Sequence, residues 1–195
     1  MPLESEKGNL ICFNGDIYNF EDLKNNELGN HKLRSDGDTE IFLNVYEKYN
    51  LSFINYLNGD YASVIFDKEK LKIFCFVDYY TAKPLFYYDD SDYFIVSSDI
   101  NSIERYIGKQ DLNNEFVSNF LRYNQWSFSK SDYSIDAYQK IRQISGKNFL
   151  EFNLFNKEIL IKGNNYVNVN FNKNNFKEIF ENSVKMRSIS NTKEV

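Results

Sequence analysis

Between Asp60 and Ser97, four runs rich in Val, Ile, Phe and Tyr follow one another almost without interruption. They are Asp60–Asp67, Leu71–Asp78, Pro84–Tyr88 and Tyr93–Ser97, separated by Lys68-Glu69-Lys70, Tyr80-Thr81-Ala82 and Asp89-Asp90-Ser91. A parallel crossover needs about a dozen residues or more, so connections this short admit only antiparallel neighbours. The spacing predicts an antiparallel meander and argues against alternating βαβ units. A second hairpin is expected from Asn148–Asn153 and Glu158–Lys162 around Leu154–Lys157. Helical patterns flank these strands. Asn19 to Leu28 reads as a helix capped by Asn19, with Glu21 and Asp22 favourably placed in its first turn. Asp38-Thr39-Glu40 opens a second helix, whose Ile41, Phe42, Val45, Tyr46 and Tyr49 form an apolar stripe. Shorter helical pieces follow at Ser52 to Leu57, Asp99–Tyr106 and Asn113–Tyr123. The last helical pattern, Asn172 to Arg187, gathers Phe176, Ile179, Phe180 and Val184 on one face. Ahead of all these, Asn9–Phe13 reads as a buried strand that reaches a turn at Asn14-Gly15. The class is α+β.

Several functions are excluded by what the chain lacks. Lys and Arg number 23 against 28 Asp and Glu, so the net charge of -5 leaves no basic surface for tracking phosphates. No apolar run approaches the roughly 20 residues of a membrane span. Met1 to Lys7 has neither the basic nor the apolar region of a signal peptide, and a cytoplasmic location is expected. Cys12 and Cys75 sit in apolar strand-like runs and are expected as buried free thiols, too few for a four-ligand zinc site. His31 has no neighbouring Cys or His and reads as a surface residue. Neither a P-loop nor a GxGxxG run occurs.

Two short constellations could carry chemistry. In Asn14-Gly15-Asp16-Ile17-Tyr18-Asn19, an Asn amide beside a Gly N–H at a strand exit can present two donors to a developing oxyanion. The same Asn-Gly pair is also an ordinary tight turn. In Ser35-Asp36-Gly37-Asp38-Thr39-Glu40, an acidic loop at a helix start could hold a cation or a substrate ammonium, or Asp38 could simply cap the helix. An EF-hand loop starting at Asp36 fails, because its required Gly would fall at Ile41.

In order along the chain, these two segments are joined by Leu57-Asn58-Gly59-Asp60-Tyr61-Ala62 and by Asp78 with Lys83-Pro84-Leu85-Phe86-Tyr87-Tyr88. This succession resembles the glutaminase domain of glutamine-dependent asparagine synthetases, class II glutamine amidotransferases whose motifs read NGEIYN, SDTE, LNGMFA and RDRFGIKPLYY. Ser97-Ser98-Asp99-Ile100, Gln143-Ile144-Ser145-Gly146 and Asn165-Tyr166 continue the resemblance, and Phe176 to Arg187 is similar to the helix that leads to the synthetase domain. Val77, Tyr79 and Thr81 depart from it, standing where the family has Arg, Arg and Gly.

The resemblance implies a partial αββα sandwich of antiparallel sheets of the N-terminal-nucleophile type. A truncated amidotransferase domain would occupy 1–165, and a linker and first helix of a synthetase domain 166–195. It implies that glutamine is the substrate, with Asn14 and Gly15 at the oxyanion hole. Asp16 would contact glutamine through its backbone, and Asp38 would hold the α-ammonium. Ammonia would pass to an adenylated carboxylate such as aspartate. The family nucleophile is an N-terminal Cys whose own amine is the base. This chain begins Met1-Pro2-Leu3 and carries no Ser-Gly-Gly-Xaa-Asp-Ser pyrophosphate loop. The expectation is a fragment, inactive alone, with no metal, and with ATP and Mg confined to a synthetase domain. A non-catalytic glutamine-binding or scaffold module is the alternative, and the expected partners are a complementary half or a second copy, with no nucleic acid and no membrane.

Overall fold

The computed structural model describes residues 2–29, 33–35, 37–124, 128–130, 133–164 and 175–188. The strands are β1 (Leu3–Glu4), β2 (Leu10–Ile17), β3 (Gly59–Asp67), β4 (Lys72–Val77), β5 (Phe86–Asp89), β6 (Phe94–Ser97), β7 (Phe128–Lys130), β8 (Tyr133–Ile135), β9 (Arg142–Gln143), β10 (Asn148–Asn153) and β11 (Ile159–Gly163). The helices are α1 (Phe20–Asp22), α2 (Asp38–Tyr49), α3 (Ile100–Ile107), α4 (Asn114–Tyr123) and α5 (Phe176–Arg187). The strands form a six-stranded sheet in the order β1-β2-β3-β4-β10-β11, a three-stranded sheet β6-β5-β9 and the hairpin β7-β8. The chain divides into two compact units, Met1–Gly15 with Asp60–Asn164, and Asp16–Gly59 with Asn165–Val195.

In the first unit the two larger sheets pack face to face. Ala62, Cys75, Val77, Leu150 and Phe152 of one meet Tyr87 of the other, with Leu85 and Ile144 flanking its strands, in a single buried cluster. Phe94 stacks on Phe152 with ring centroids 4.2 Å apart. The outer face of the smaller sheet, through Tyr88, Phe86 and Ile95, packs on Ile100, Ile103 and Ile107 of α3. The expected meander is thus cut in two. β3 pairs with β4, and β5 with β6, but the Asp78–Leu85 connection passes from one sheet to the other. Apolar side chains on both faces of β4 make this crossing favourable, because each sheet buries what the other would leave wet. The hairpin of β10 and β11 forms as expected, and β10 pairs with β4. The helices expected at Asp99 and Asn113 start there because these residues cap them: Asn101 N–H donates to Asp99 Oδ1 at 3.1 Å, and Glu115 N–H to Asn113 Oδ1 at 3.0 Å.

In the second unit α2 buries Ile41, Phe42, Leu43, Val45 and Tyr46. A 3-10 turn, Asn50–Asn55, folds Phe53 back edge-on against Phe42 and Tyr46, with centroids 5.1 and 5.4 Å away. Three sequence expectations are corrected here. Asn19 to Leu28 is not one α-helix: α1 widens at once into a π-helical turn, Leu23–Leu28. Asn19 does not cap it, since its side chain is spent on the peptide at Tyr56 and Asn58. Asp38 is not a helix cap either: Gly37 holds that position and Asp38 is the first helical residue.

Two further expectations fail in the first unit. Cys12 is exposed, because strand alternation turns it away from buried Ile11; Cys75 is buried as expected. The Asn14-Gly15 pair is not a turn, since β2 runs straight through it to Ile17. The short strands β1, β7, β8 and β9 went unforeseen. Of the last helical pattern, α5 is found at Phe176–Arg187 with Phe176, Ile179, Phe180 and Val184 exposed; 172–174 lie outside the described residues. No described helix is long and apolar enough to cross a membrane.

Candidate functional site

Asn14 and Gly15 lie in β2, and the glycine is there for a steric reason. Its φ is +148°, and a Cβ at this position would lie 2.1 Å from the Asp60 carbonyl oxygen and 2.7 Å from Tyr61 Cα. Those are backbone atoms that cannot swing aside, so only glycine permits the approach. Gly59 is constrained in the same way, its absent Cβ falling 2.3 Å from the Asp16 carbonyl oxygen. The Asn-Gly pairs at 14–15 and 58–59 therefore allow close passage of backbone rather than reversing the chain. Along β2 the alternation leaves Cys12, Asn14 and Asp16 exposed while Ile11 and Ile17 are buried.

Asp16 and Asp38 belong to the other unit. Ile17 N–H donates to Asp38 Oδ2 at 3.1 Å. This ties the first residue of α2 to Ile17 within the second unit. Burial pushes the Asp38 carboxyl above its usual range, the Ile17 hydrogen bond opposes this, and the charge of Asp16 adds to the rise. Such a carboxylate gains when a cation arrives, because an ammonium offsets both the desolvation and the neighbouring negative charge.

Two residues on, Glu40 is 4 % exposed and organises the loop ahead of the helix. It accepts from Arg34 N–H at 3.0 Å and from the N–H and Oγ of Ser35 at 2.8 and 2.7 Å. Burial alone would raise its pKa, but these donors and the Arg34 guanidinium hold it below the ordinary value. Glu40 thus positions the Ser35 loop, a role the sequence reading missed. A charged residue embedded against Ile41 and Phe42 was the available signal. Asp36 and His31 lie outside the described residues.

The segment opened by Asp78 is built like a clasp. Asp78 is 3 % exposed. It accepts four peptide N–H groups: Tyr80 and Ala82 on Oδ1 at 3.0 and 3.1 Å, and Tyr61 and Lys83 on Oδ2 at 3.2 and 3.3 Å. Thr81 sits at φ +56°, a conformation that favours glycine and is awkward for a β-branched residue. Its hydroxyl accepts Gly146 N–H at 2.9 Å, a contact no glycine could supply. Gly146 is itself obligatory, since a Cβ there would fall 2.2 Å from the Asp78 carbonyl oxygen. The unfavourable backbone conformation of Thr81 is therefore compensated locally. Among the described residues, no group of three or more His, Cys, Asp or Glu is arranged to hold a metal.

Comparison with known proteins places this geometry. The glutamine amidotransferase domain family matches residues 1–160. A Methanocaldococcus jannaschii protein, provisionally named asparagine synthetase (glutamine-hydrolyzing) 2, is 35% identical over 153 residues, covering 77% of this chain and 28% of its own length. Asparagine synthetase (glutamine-hydrolyzing) 2 of Bacillus subtilis is 34% identical over 103 residues, which are 52% of this chain and 14% of that protein. The chain thus spans less than a third of the length of these relatives. In fold it is similar to glutamine phosphoribosylpyrophosphate amidotransferase of B. subtilis, with a TM-score of 0.56 and 15% identity over 87% of this chain and 32% of that one. The antiparallel sheets and helices share the fold of that amidotransferase. The chain belongs to the glutamine amidotransferase domain family.

Proposed function

We propose that this chain is the glutamine-recognition part of an asparagine-synthetase-like amidotransferase, in which glutamine yields ammonia for an adenylated carboxylate such as aspartate. Residues 1–165 form the amidotransferase part, and 166–195 the linker and first helix toward a synthetase domain that would bind ATP and Mg. The observation that carries the reading is the Asp38 carboxylate, held by Ile17 N–H at 3.1 Å and raised in pKa by burial and by the charge of Asp16. In this reading Asp38 holds the α-ammonium of glutamine and Asp16 contacts it through the backbone. The Asn14 amide and the Gly15 N–H receive the oxyanion that forms at the side-chain amide carbon.

Recognition is separate from cleavage. The family reaction needs a thiol whose own α-amine serves as base. Cys12 and Cys75 are internal, so their nitrogens are peptide nitrogens, and burial pushes the Cys75 thiol far up. The 195 residues alone are therefore proposed to bind glutamine weakly and to release no ammonia, acting as a fragment of the full reaction.

Titration calorimetry with glutamine up to millimolar concentration tests this. Binding is expected and is lost in Asp38→Asn. It also fades as pH falls through the raised Asp38 pKa, because a protonated carboxyl gives an ammonium no charge. Equal heats for the chain and Asp38→Asn would refute the assignment. Ammonia release abolished by Cys12→Ala would refute the claim of inactivity; Cys12 is the proper control because it is exposed along β2, as Asn14 is.

A further inference from the structure

Helix α5 lies beyond the residues matched by the family, and it buries none of its side chains. Its last turn nevertheless makes two specific contacts, both to motif residues of its own compact unit. The Arg187 guanidinium carbon stands 4.5 Å from the centroid of the Tyr18 ring. That guanidinium is aimed by its own helix, donating to the Ser183 carbonyl at 3.2 Å and to Ser183 Oγ at 2.5 Å. One residue earlier, Met186 Sδ accepts from Asn58 Nδ2 at 3.8 Å. Tyr18 and Asn58 are in turn joined directly, since Tyr18 N–H donates to the Asn58 carbonyl at 2.7 Å. Arg187, Tyr18, Asn58 and Met186 thus close a ring of contacts.

What the ring encloses gives it a role. Asn58 N–H donates to Asn19 Oδ1 at 2.9 Å, and Asn19 Nδ2 donates to the Tyr56 carbonyl at 2.8 Å. The neighbouring peptide, Ile17 N–H, is the donor that fixes Asp38. Segment 17–19 is therefore held by three parties: α2 through Asp38, segment 56–58 through paired backbone and Asn bonds, and α5 through its C-terminal end. We propose that Arg187 and Met186 are positioning residues for Asp38, clamping the Tyr18–Asn58 junction so that the Ile17 N–H keeps its direction toward the carboxylate. The proposal rests on the glutamine reading for its functional consequence, while its structural content stands by itself. A helix that buries no side chain but grips a motif can let go without unfolding the domain. Docking of α5 then sets how well Asp38 is ordered for an incoming ammonium.

The test compares the full chain with Arg187→Ala, Arg187→Lys and Met186→Ala by residue-resolved amide exchange, glutamine calorimetry and urea unfolding. An exposed cation–π contact corresponds to about a two- to fivefold change in an equilibrium. Arg187→Ala is expected to speed exchange at Ile17 and Tyr18 by about that factor, to weaken glutamine binding similarly and to shift the unfolding equilibrium in urea by no more than that factor. Arg187→Lys, which keeps a cation over the ring, restores most of both effects. Met186→Ala moves the same two amides in the same direction. Unchanged exchange at Ile17 and Tyr18 overturns the clamp, as does an equal rise at β10, which would mark a global loss. Faster exchange with unaltered affinity overturns the positioning role. If the wild-type chain binds no glutamine while exchange responds as stated, the clamp stands and the glutamine reading falls. If binding is sensitive to Asp38→Asn but indifferent to Arg187, the reading stands and the positioning role falls.

Discussion

Asp78→Asn is the most informative single change in the first compact unit, because it preserves shape while inverting half of the hydrogen bonding. Each carboxylate oxygen accepts two peptide N–H groups, Tyr80 and Ala82 on one and Tyr61 and Lys83 on the other. An amide keeps one oxygen and points an NH2 at the other two donors. Whichever way it is turned, two of the four bonds are lost and two N–H groups face a donor. Stranding a buried donor costs about 1–3 kcal/mol. Tyr61 N–H is within β3, while the loop donors Tyr80, Ala82 and Lys83 are partly exposed and can turn to water. The sum expected for Asp78→Asn is therefore about 2–4 kcal/mol. A chain of this size shifts its melting midpoint by about 2–4 °C per kcal/mol, so a drop on the order of 10 °C is predicted. Urea unfolding with an unchanged slope measures the same loss and shows that the denatured state is not responsible. A cost below about 0.5 kcal/mol, the level of an ordinary surface substitution, would refute the account of Asp78 as the clasp of this loop.

Gly15→Ala should weaken or abolish glutamine binding and destabilise the sheet, since its Cβ must displace the Asp60 carbonyl that would otherwise lie 2.1 Å away; a native circular dichroism melt with intact calorimetric binding would contradict this. Glu151, 4 % exposed in β10, is held below its ordinary pKa of 4.5: burial raises it, but the Lys162 and Lys72 ammoniums together outweigh that. A depressed folded pKa gives stability that is present above the unfolded pKa and is lost as pH falls through the folded one. Glu151→Gln should accordingly be destabilised relative to wild type at pH 7, with the gap closing below pH 4.5, and a gap independent of pH in urea midpoints would refute the ion-paired triad.

Most of the strands and helices were legible because their signals are local. The continuous apolar run within Lys72–Val77 and the caps at Asp99 and Asn113 fix their elements whatever the surroundings. The failures share a cause, which is that a long-range contact claimed a residue with an equally good local use. Asn19 is a sound helix cap by propensity, yet the Tyr56 carbonyl and the Asn58 N–H take both ends of its side chain. Asp38 likewise had a cap position open to it, and the Ile17 N–H displaced it into the helix. The crossing between sheets at Asp78–Leu85 was hidden for the same reason. Short connectors specify antiparallel neighbours but not whether the next strand joins the same sheet, and that choice depends on which faces of β4 are apolar.

The candidate site was legible in a different way. Asn14, Gly15, Asp16 and Asp38 are ordinary turn and cap residues when taken singly, and local chemistry favours the bland role for each. Order along the chain, not propensity, singled them out, and the structure supplies physical reasons for two of them. Gly15 is demanded by the Asp60 backbone, and Asp38 is anchored by Ile17. Neither reason involves a ligand, yet both leave polar groups in unusual states: a glycine peptide in a strand where a side chain cannot fit, and a carboxylate held against desolvation and a like charge. Thr81 shows the converse. It is β-branched, yet it adopts the left-handed conformation and accepts Gly146 N–H on its hydroxyl. A β-branched residue held in that conformation implies that the path of this loop is set by its contacts to Asp78 and Gly146 rather than by local propensity.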